Sequence, residues 1–178
     1  MTRLLDAVDG ISGIAGAIAM AMLAVLVGSM IFEVVARYVF GAPTIWAFDI
    51  SYMLNGSIFL MGAAYALKAD AHVRIDFLSS RLPERVQRIV NAAVYALVLA
   101  PVFAIFSYIG IEKTVKAYRT AEVEMVSPWA PLMWPFYAAL AAGLLVMTLQ
   151  LLAEAARFAL GHKSPGSTEH ELEDTEAL

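Results

Sequence analysis

The sequence predicts an all-α membrane protein with four transmembrane helices, an interfacial helix between the second and third spans, and both termini cytoplasmic. Apolar residues make up 61% of the 178 and charged residues only 16%, with a mean hydropathy of +0.72, whereas soluble domains hold about 45–50% apolar residues. Uncharged runs are long enough to cross a bilayer as single helices: 23 residues from Gly10 to Phe32, 18 from Ile50 to Leu67 and 23 from Ile89 to Ile111. Tryptophans and prolines gather at the boundaries of these runs, as at Trp46 and from Pro128 to Pro135, where headgroup-level aromatics and helix starts belong.

The same composition excludes several function classes. The chain has no cysteine, hence neither a disulfide framework nor a thiolate metal site. Its histidines, His72, His162 and His170, lie outside the apolar runs, so haem has no axial ligand at membrane depth. No glycine-rich phosphate loop and no nucleophile beside a base is present, so neither an enzyme nor a cofactor is expected. The net charge of -4 comes largely from a tail bearing Glu169, Glu171, Glu173, Asp174 and Glu176, which argues against a nucleic-acid partner.

The first span is expected over about 11–36, after a short amphipathic lead-in at 1–9. Its uncharged run exceeds the 7–15 apolar residues of a secretory signal, so it is expected to stay in the membrane. Gly13, Ala17, Ala21, Ala24 and Gly28 recur at helical spacing and form a stripe on which another helix can pack closely. Glu33 and Arg37, one turn apart near the end of the span, are expected to form an interfacial ion pair.

Phe40-Gly41-Ala42-Pro43 is a tight connection that turns the second span, about 45–67, back beside the first. That span opens with Trp46 and Asp49 and carries Asn55 and Gly62-Ala63-Ala64, residues suited to helix packing. From Lys68 to Arg88, charges alternate with Val73, Ile75, Phe77, Leu78 and Leu82, as in a helix lying along the membrane surface. His72 and Asp76 stand at i,i+4, a spacing for a mutual hydrogen bond rather than a metal site. Pro83-Glu84 then reads as the first turn of the third span, about 86–111, with Pro101 expected to kink its middle. The charged stretch 112–124, which includes Arg119, leads into Ser127-Pro128-Trp129 and a fourth span at about 135–153 with Ala138, Ala139, Ala142 and Gly143 as its small face. One domain is expected over 1–160, followed by a disordered acidic tail at 161–178.

Basic residues set orientation. With the termini inside, the cytoplasmic segments hold eight bases (Arg3, Lys68, Arg74, Arg81, Arg85, Arg88, Arg157, Lys163) against four outside (Arg37, Lys113, Lys116, Arg119). Arg85 and Arg88 would then meet the anionic inner leaflet of the phospholipid bilayer.

The ordered set Arg37-Tyr-Val-Phe40-Gly41, Trp46 followed by a carboxylate, Gly62-Ala63-Ala64, His72-Val73 with Asp76, Leu82-Pro83 and Pro128-Trp129 resembles the small membrane subunit of tripartite ATP-independent periplasmic (TRAP) transporters. Where that family commonly shows a serine and one or two glutamates after the tryptophan, this chain has Ala47-Phe48-Asp49, a single shorter acid. The resemblance implies a bacterial inner-membrane symport system driven by an ion gradient. A periplasmic substrate-binding protein captures an organic acid of the carboxylate class, and a large multi-span membrane subunit carries it. The small subunit would brace the large one and help dock the binding protein. On this reading Arg37, Trp46, Asp49, Arg119 and Trp129 form an outer partner interface, and His72, Arg74 and Asp76 an inner one. Two rival readings are a self-contained four-span transporter coupling protons through Glu33 and a quinone- or haem-binding respiratory anchor.

Overall fold

A computed structural model of the chain describes residues 2–69 and 83–161. Its helices are α1 (Thr2–Tyr38), α2 (Ala47–Lys68), α3 (Glu84–Ala93), a π-helical segment (Val94–Leu99), α4 (Ala100–Thr120) and α5 (Trp134–Leu160). α3, the π segment and α4 run on as one third span, giving four helices long and apolar enough to cross a membrane. Among the described residues the only extended pairing is a single antiparallel bridge between Val123 and Leu132. The expected interfacial helix, with His72, Arg74 and Asp76, falls mostly outside the described residues, as does the acidic tail.

Each span outruns its uncharged core. The lead-in 1–9 is continuous with α1, the charged stretch after Ile111 continues α4 to Thr120, and α5 reaches Leu160 rather than 153. Hydropathy marks depth in the bilayer; backbone stereochemistry marks where a helix stops. The stops here are left-handed residues: Gly41 (φ 61°) after α1, Ala121 (φ 48°) after α4 and Gly161 (φ 73°) after α5. At about 1.5 Å per residue α1 is roughly 55 Å long, so it tilts or stands proud of the hydrocarbon.

The expected disturbance at Pro101 takes a specific form. Proline donates no N–H and its ring crowds the carbonyl four residues earlier. The six residues Val94–Leu99, which include that carbonyl at Leu97, widen into π geometry. The helix thereby passes the proline without a break.

α5 is the hub of the bundle: it packs against α1, α2, α3 and α4, while α1 otherwise lies on α2. The core joins Ala64 and Leu67 of α2, Ala100 of α4, and Met147 and Leu151 of α5. Missing side chains allow the closest approaches. A Cβ on Gly143 would lie 2.8 Å from Leu60 Cβ, and one on Gly16 would lie 2.7 Å from the Tyr65 ring.

The small-residue stripe expected on α1 is rotated from the face that packs. Ser12, Ala15, Gly16 and Ala19 point into the bundle, whereas Ala17, Ala21, Ala24 and Gly28 are exposed. Of the most apolar window of each span, 39% is buried in α5 but only 17% in α1 and 6% in the third span. The outer faces of α1 and the third span are therefore left to lipid or to another chain.

Candidate functional site

The residues read as an outer interface gather at one end of the bundle, where α1 ends, α2 begins and the 121–133 loop crosses. Glu33, on the last full turn of α1, accepts from Arg37 Nε at 2.8 Å and from the Thr44 backbone N–H at 2.9 Å; Arg37 Nη2 and the Thr44 hydroxyl also donate to it. The ion pair thus doubles as a clasp on the Gly41–Thr44 connection. Phe32 stacks on Trp46 with ring centroids 5.8 Å apart, fixing the start of α2 against α1. Arg37 is exposed and Trp46 half-buried.

Asp49 is buried, at 1% exposure. Its carboxylate accepts the Ser127 hydroxyl proton, and the Ser127 oxygen in turn accepts the Trp129 backbone N–H at 3.1 Å. One turn on, Tyr52 donates to Glu124 at 3.1 Å. Glu122 accepts from Lys113 Nζ at 2.8 and 3.1 Å and from Tyr137 at 3.4 Å. Backbone bonds from Met133 N to Glu122 O (2.9 Å) and from Glu124 N to Pro131 O (3.0 Å) close the loop on itself. The Lys113 hydrogen bond, helped by the lysine's charge, holds the Glu122 carboxyl below its ordinary value of 4.5 against a smaller opposing effect of burial.

This arrangement makes a fixed rim. Its side chains of opposite charge are consumed in holding the loop, and what it shows outward is Arg37, Arg119 and a largely apolar crest of Phe48, Met125 and Val126, the last two more than 90% exposed. Trp129 is 39% exposed and lines an apolar cavity of about 530 Å³ with Met22, Met53 and Phe136. Among the described residues no group of three acids or histidines is placed to hold a metal.

The opposite end holds a constellation that sequence reading missed. Arg157 pairs with Asp9 at 2.6 Å and with Glu154, bridging α1 and α5. Gln150 donates to Asp9 at 3.1 Å and to Glu154 at 3.2 Å, and accepts from the Ser12 hydroxyl at 2.7 Å. Ser12, Gln150 and Glu154 are completely buried. The signal available was local: Gln150, Glu154 and Arg157 at i, i+4 and i+7 share one helical face that straddles the expected end of the span.

The family model for the DctQ component of tripartite ATP-independent periplasmic transporters matches residues 26–161. The chain belongs to that family. The DctQ match takes in the rim, the third span and α5, and leaves Asp9 and Ser12 outside it. Like the small permease protein SiaQ of a sialic acid TRAP transporter from Vibrio cholerae serotype O1, this DctQ component is a membrane subunit of its transporter; the two are 26% identical over 141 residues, 79% of each chain. The sialic acid TRAP transporter permease protein SiaT of Haemophilus influenzae is 32% identical over 84 residues, 47% of this chain but only 14% of SiaT. With four membrane-length apolar helices, the DctQ component is a multi-pass protein of the bacterial inner membrane.

Proposed function

We propose that this DctQ component braces a large, ion-coupled membrane subunit and helps dock a periplasmic substrate-binding protein for uptake of an organic acid of the carboxylate class. Sialic acid, named for both relatives, belongs to that class. The observation carrying this reading is that three hydroxyls at membrane depth are spent within the bundle, while a fourth, Ser107, is buried without a hydrogen-bond partner among the described residues. Ser57 donates to the Met53 carbonyl and Thr148 to the Leu144 carbonyl, each at 2.8 Å, and Ser12 is taken up by Gln150. Such groups support helix packing rather than a hydrated path.

In this reading the rim of Arg37, Trp46, Arg119 and Trp129 is periplasmic and both termini are cytoplasmic, in keeping with the distribution of basic residues. Asp49, being buried, serves the interface by positioning the loop through Ser127. His72, Arg74 and Asp76 are assigned to an inner contact with the large subunit. The rival use of Glu33 as a proton-coupling group is disfavoured because Arg37 and Thr44 already engage both of its oxygens.

Reconstitution tests the reading. Proteoliposomes holding this chain with the large subunit should accumulate a sialic acid only when binding protein and an ion gradient are supplied, and vesicles holding this chain alone should accumulate none. Uptake by the chain alone would overturn the assignment. Arg37→Glu and Arg119→Glu should raise the binding-protein concentration needed for half-maximal uptake while leaving co-purification with the large subunit intact.

A further inference from the structure

At the end of the bundle away from the rim, α3 and the last turn of α5 border an open groove of about 610 Å³. Its lining changes character with depth. Arg85 and Arg88, in the first two turns of α3, stand at the mouth with Gly161; Ile89, Ala92 and Phe158 lie about one turn deeper along their helices. A guanidinium presents a planar fork of donors matched to phosphate oxygens, and an apolar wall one turn below suits an acyl chain. α3 starts at Glu84 and α5 ends at Leu160, so the mouth sits where both spans meet the interface, at headgroup level.

The neighbouring cations differ in availability. Arg157 is engaged by Asp9 and Glu154, whereas Arg85 is exposed and forms no ion pair with a described residue. Arg88 is half-buried, with Nη1 only 2.9 Å from where a Cβ on Gly161 would sit. The glycine at the end of α5, required there by its positive φ, therefore also leaves room for the Arg88 guanidinium at the mouth.

We propose that this groove is a binding site for an anionic phospholipid, its headgroup phosphate held by Arg85 and Arg88 and one acyl chain lying against Ile89 and Ala92. The same guanidiniums would recognise a free phosphate, but only a lipid uses the apolar wall. A basic pocket between spans at headgroup level is a setting in which membrane proteins bind acidic lipids. The site differs from general attraction to a charged leaflet, because its occupancy depends on these two arginines rather than on the total count of bases.

The test is lipid retention by the purified full chain, read by native mass spectrometry after titration with phosphatidylglycerol or with phosphatidylcholine of matched chains, and with inorganic phosphate as competitor. Phosphatidylglycerol should be retained over phosphatidylcholine, and millimolar phosphate should not displace it. Arg85→Gln should weaken retention about fivefold, the loss of one base from an anionic lipid contact, and Arg85→Gln with Arg88→Gln should weaken it further. Arg119→Gln, an equal loss of charge at the other end, should leave retention unchanged. Because Arg85 is exposed, its single substitution tests the site even if the double variant folds poorly. Equal retention of the two lipids, displacement by phosphate, an unaffected Arg85→Gln protein or an equal loss in Arg119→Gln would each overturn the proposal.

Discussion

Arg157 of α5 lies 2.6 Å from Asp9 of α1, joining residues 148 positions apart, and its other amino group holds Glu154, which is completely buried. Removing the cation would leave two carboxylates beside each other at the seam between the first and last helices. The loss of one partner of a buried pair costs about 3–5 kcal/mol. Because 17% of the Arg157 and 26% of the Asp9 side chain remain exposed, Arg157→Ala should cost about 3 kcal/mol, the lower end of that range. Asp9→Asn should cost less, since the Arg157–Glu154 pair survives it. Reversible unfolding in mixed micelles measures both, and equal costs would show that Asp9 rather than the buried glutamate is the critical partner.

Gly143 and Gly62 offer a matched comparison, both being glycines within apolar helices. At Gly143 an added Cβ meets Leu60 Cβ at 2.8 Å and the Leu60 carbonyl carbon at 2.9 Å, so α2 and α5 must separate; at Gly62 it meets nothing within 4 Å. Gly143→Ala should destabilise by about 1–3 kcal/mol, the usual cost of overpacking. Gly62→Ala should be neutral or gain up to about 1 kcal/mol from helix propensity. A large cost at both sites in the same unfolding assay would mean that Gly62 packs against something in the assembled protein.

How far the sequence led depended on the kind of signal. The four spans were legible because each is a long uncharged run, and Gly143 was correctly placed on a small packing face. The face of α1 was misassigned because Gly13 and Gly16 sit on neighbouring faces, and Ala17 and Ala19 on nearly opposite ones, of a helix that is small or apolar nearly all round. In lipid, hydrophobicity does not choose between such faces. The Glu33–Arg37 pairing was readable as an i,i+4 pair, but the contact of Glu33 with Thr44 requires the Gly41 turn, and Ser127 with Asp49 or Arg157 with Asp9 requires the tertiary fold. Long-range polar pairs leave no periodic trace.

Ala121 ends α4 at φ 48°, ψ 42°, and the Glu122 N–H bonds back to the Ala117 carbonyl at 3.0 Å. This is a left-handed helix terminus filled by a residue whose Cβ opposes that conformation by roughly 1–2 kcal/mol. Ala121→Gly should therefore raise stability by about 1 kcal/mol, part of the relief being offset by the greater freedom of glycine in the unfolded chain. Thermal unfolding checks the direction. A loss on substitution would show that the methyl group makes a contact worth more than the strain it carries.

Glu122 makes the 121–133 loop sensitive to acid. Its folded-state pKa lies below 4.5, chiefly through the hydrogen bonds from Lys113. A carboxyl with a depressed folded-state pKa binds protons more readily once unfolded, so its stabilisation is complete above about pH 4.5 and is lost as pH falls through the folded value. The effect is small because both partners are partly exposed, with 42% of the Lys113 and 31% of the Glu122 side chain open. Glu122→Gln should lower the melting temperature near neutrality, and the gap to the unsubstituted protein should close as the pH falls through the depressed folded-state value and the native carboxylate takes up its proton. Lys113→Met should show the same closing gap, because either substitution removes the same pair. If the gap instead persisted or widened in acid, the loop would be held by the Val123–Leu132 bridge and the Tyr52–Glu124 bond, with the lysine contributing only through its ammonium 5.0 Å over the Tyr137 ring.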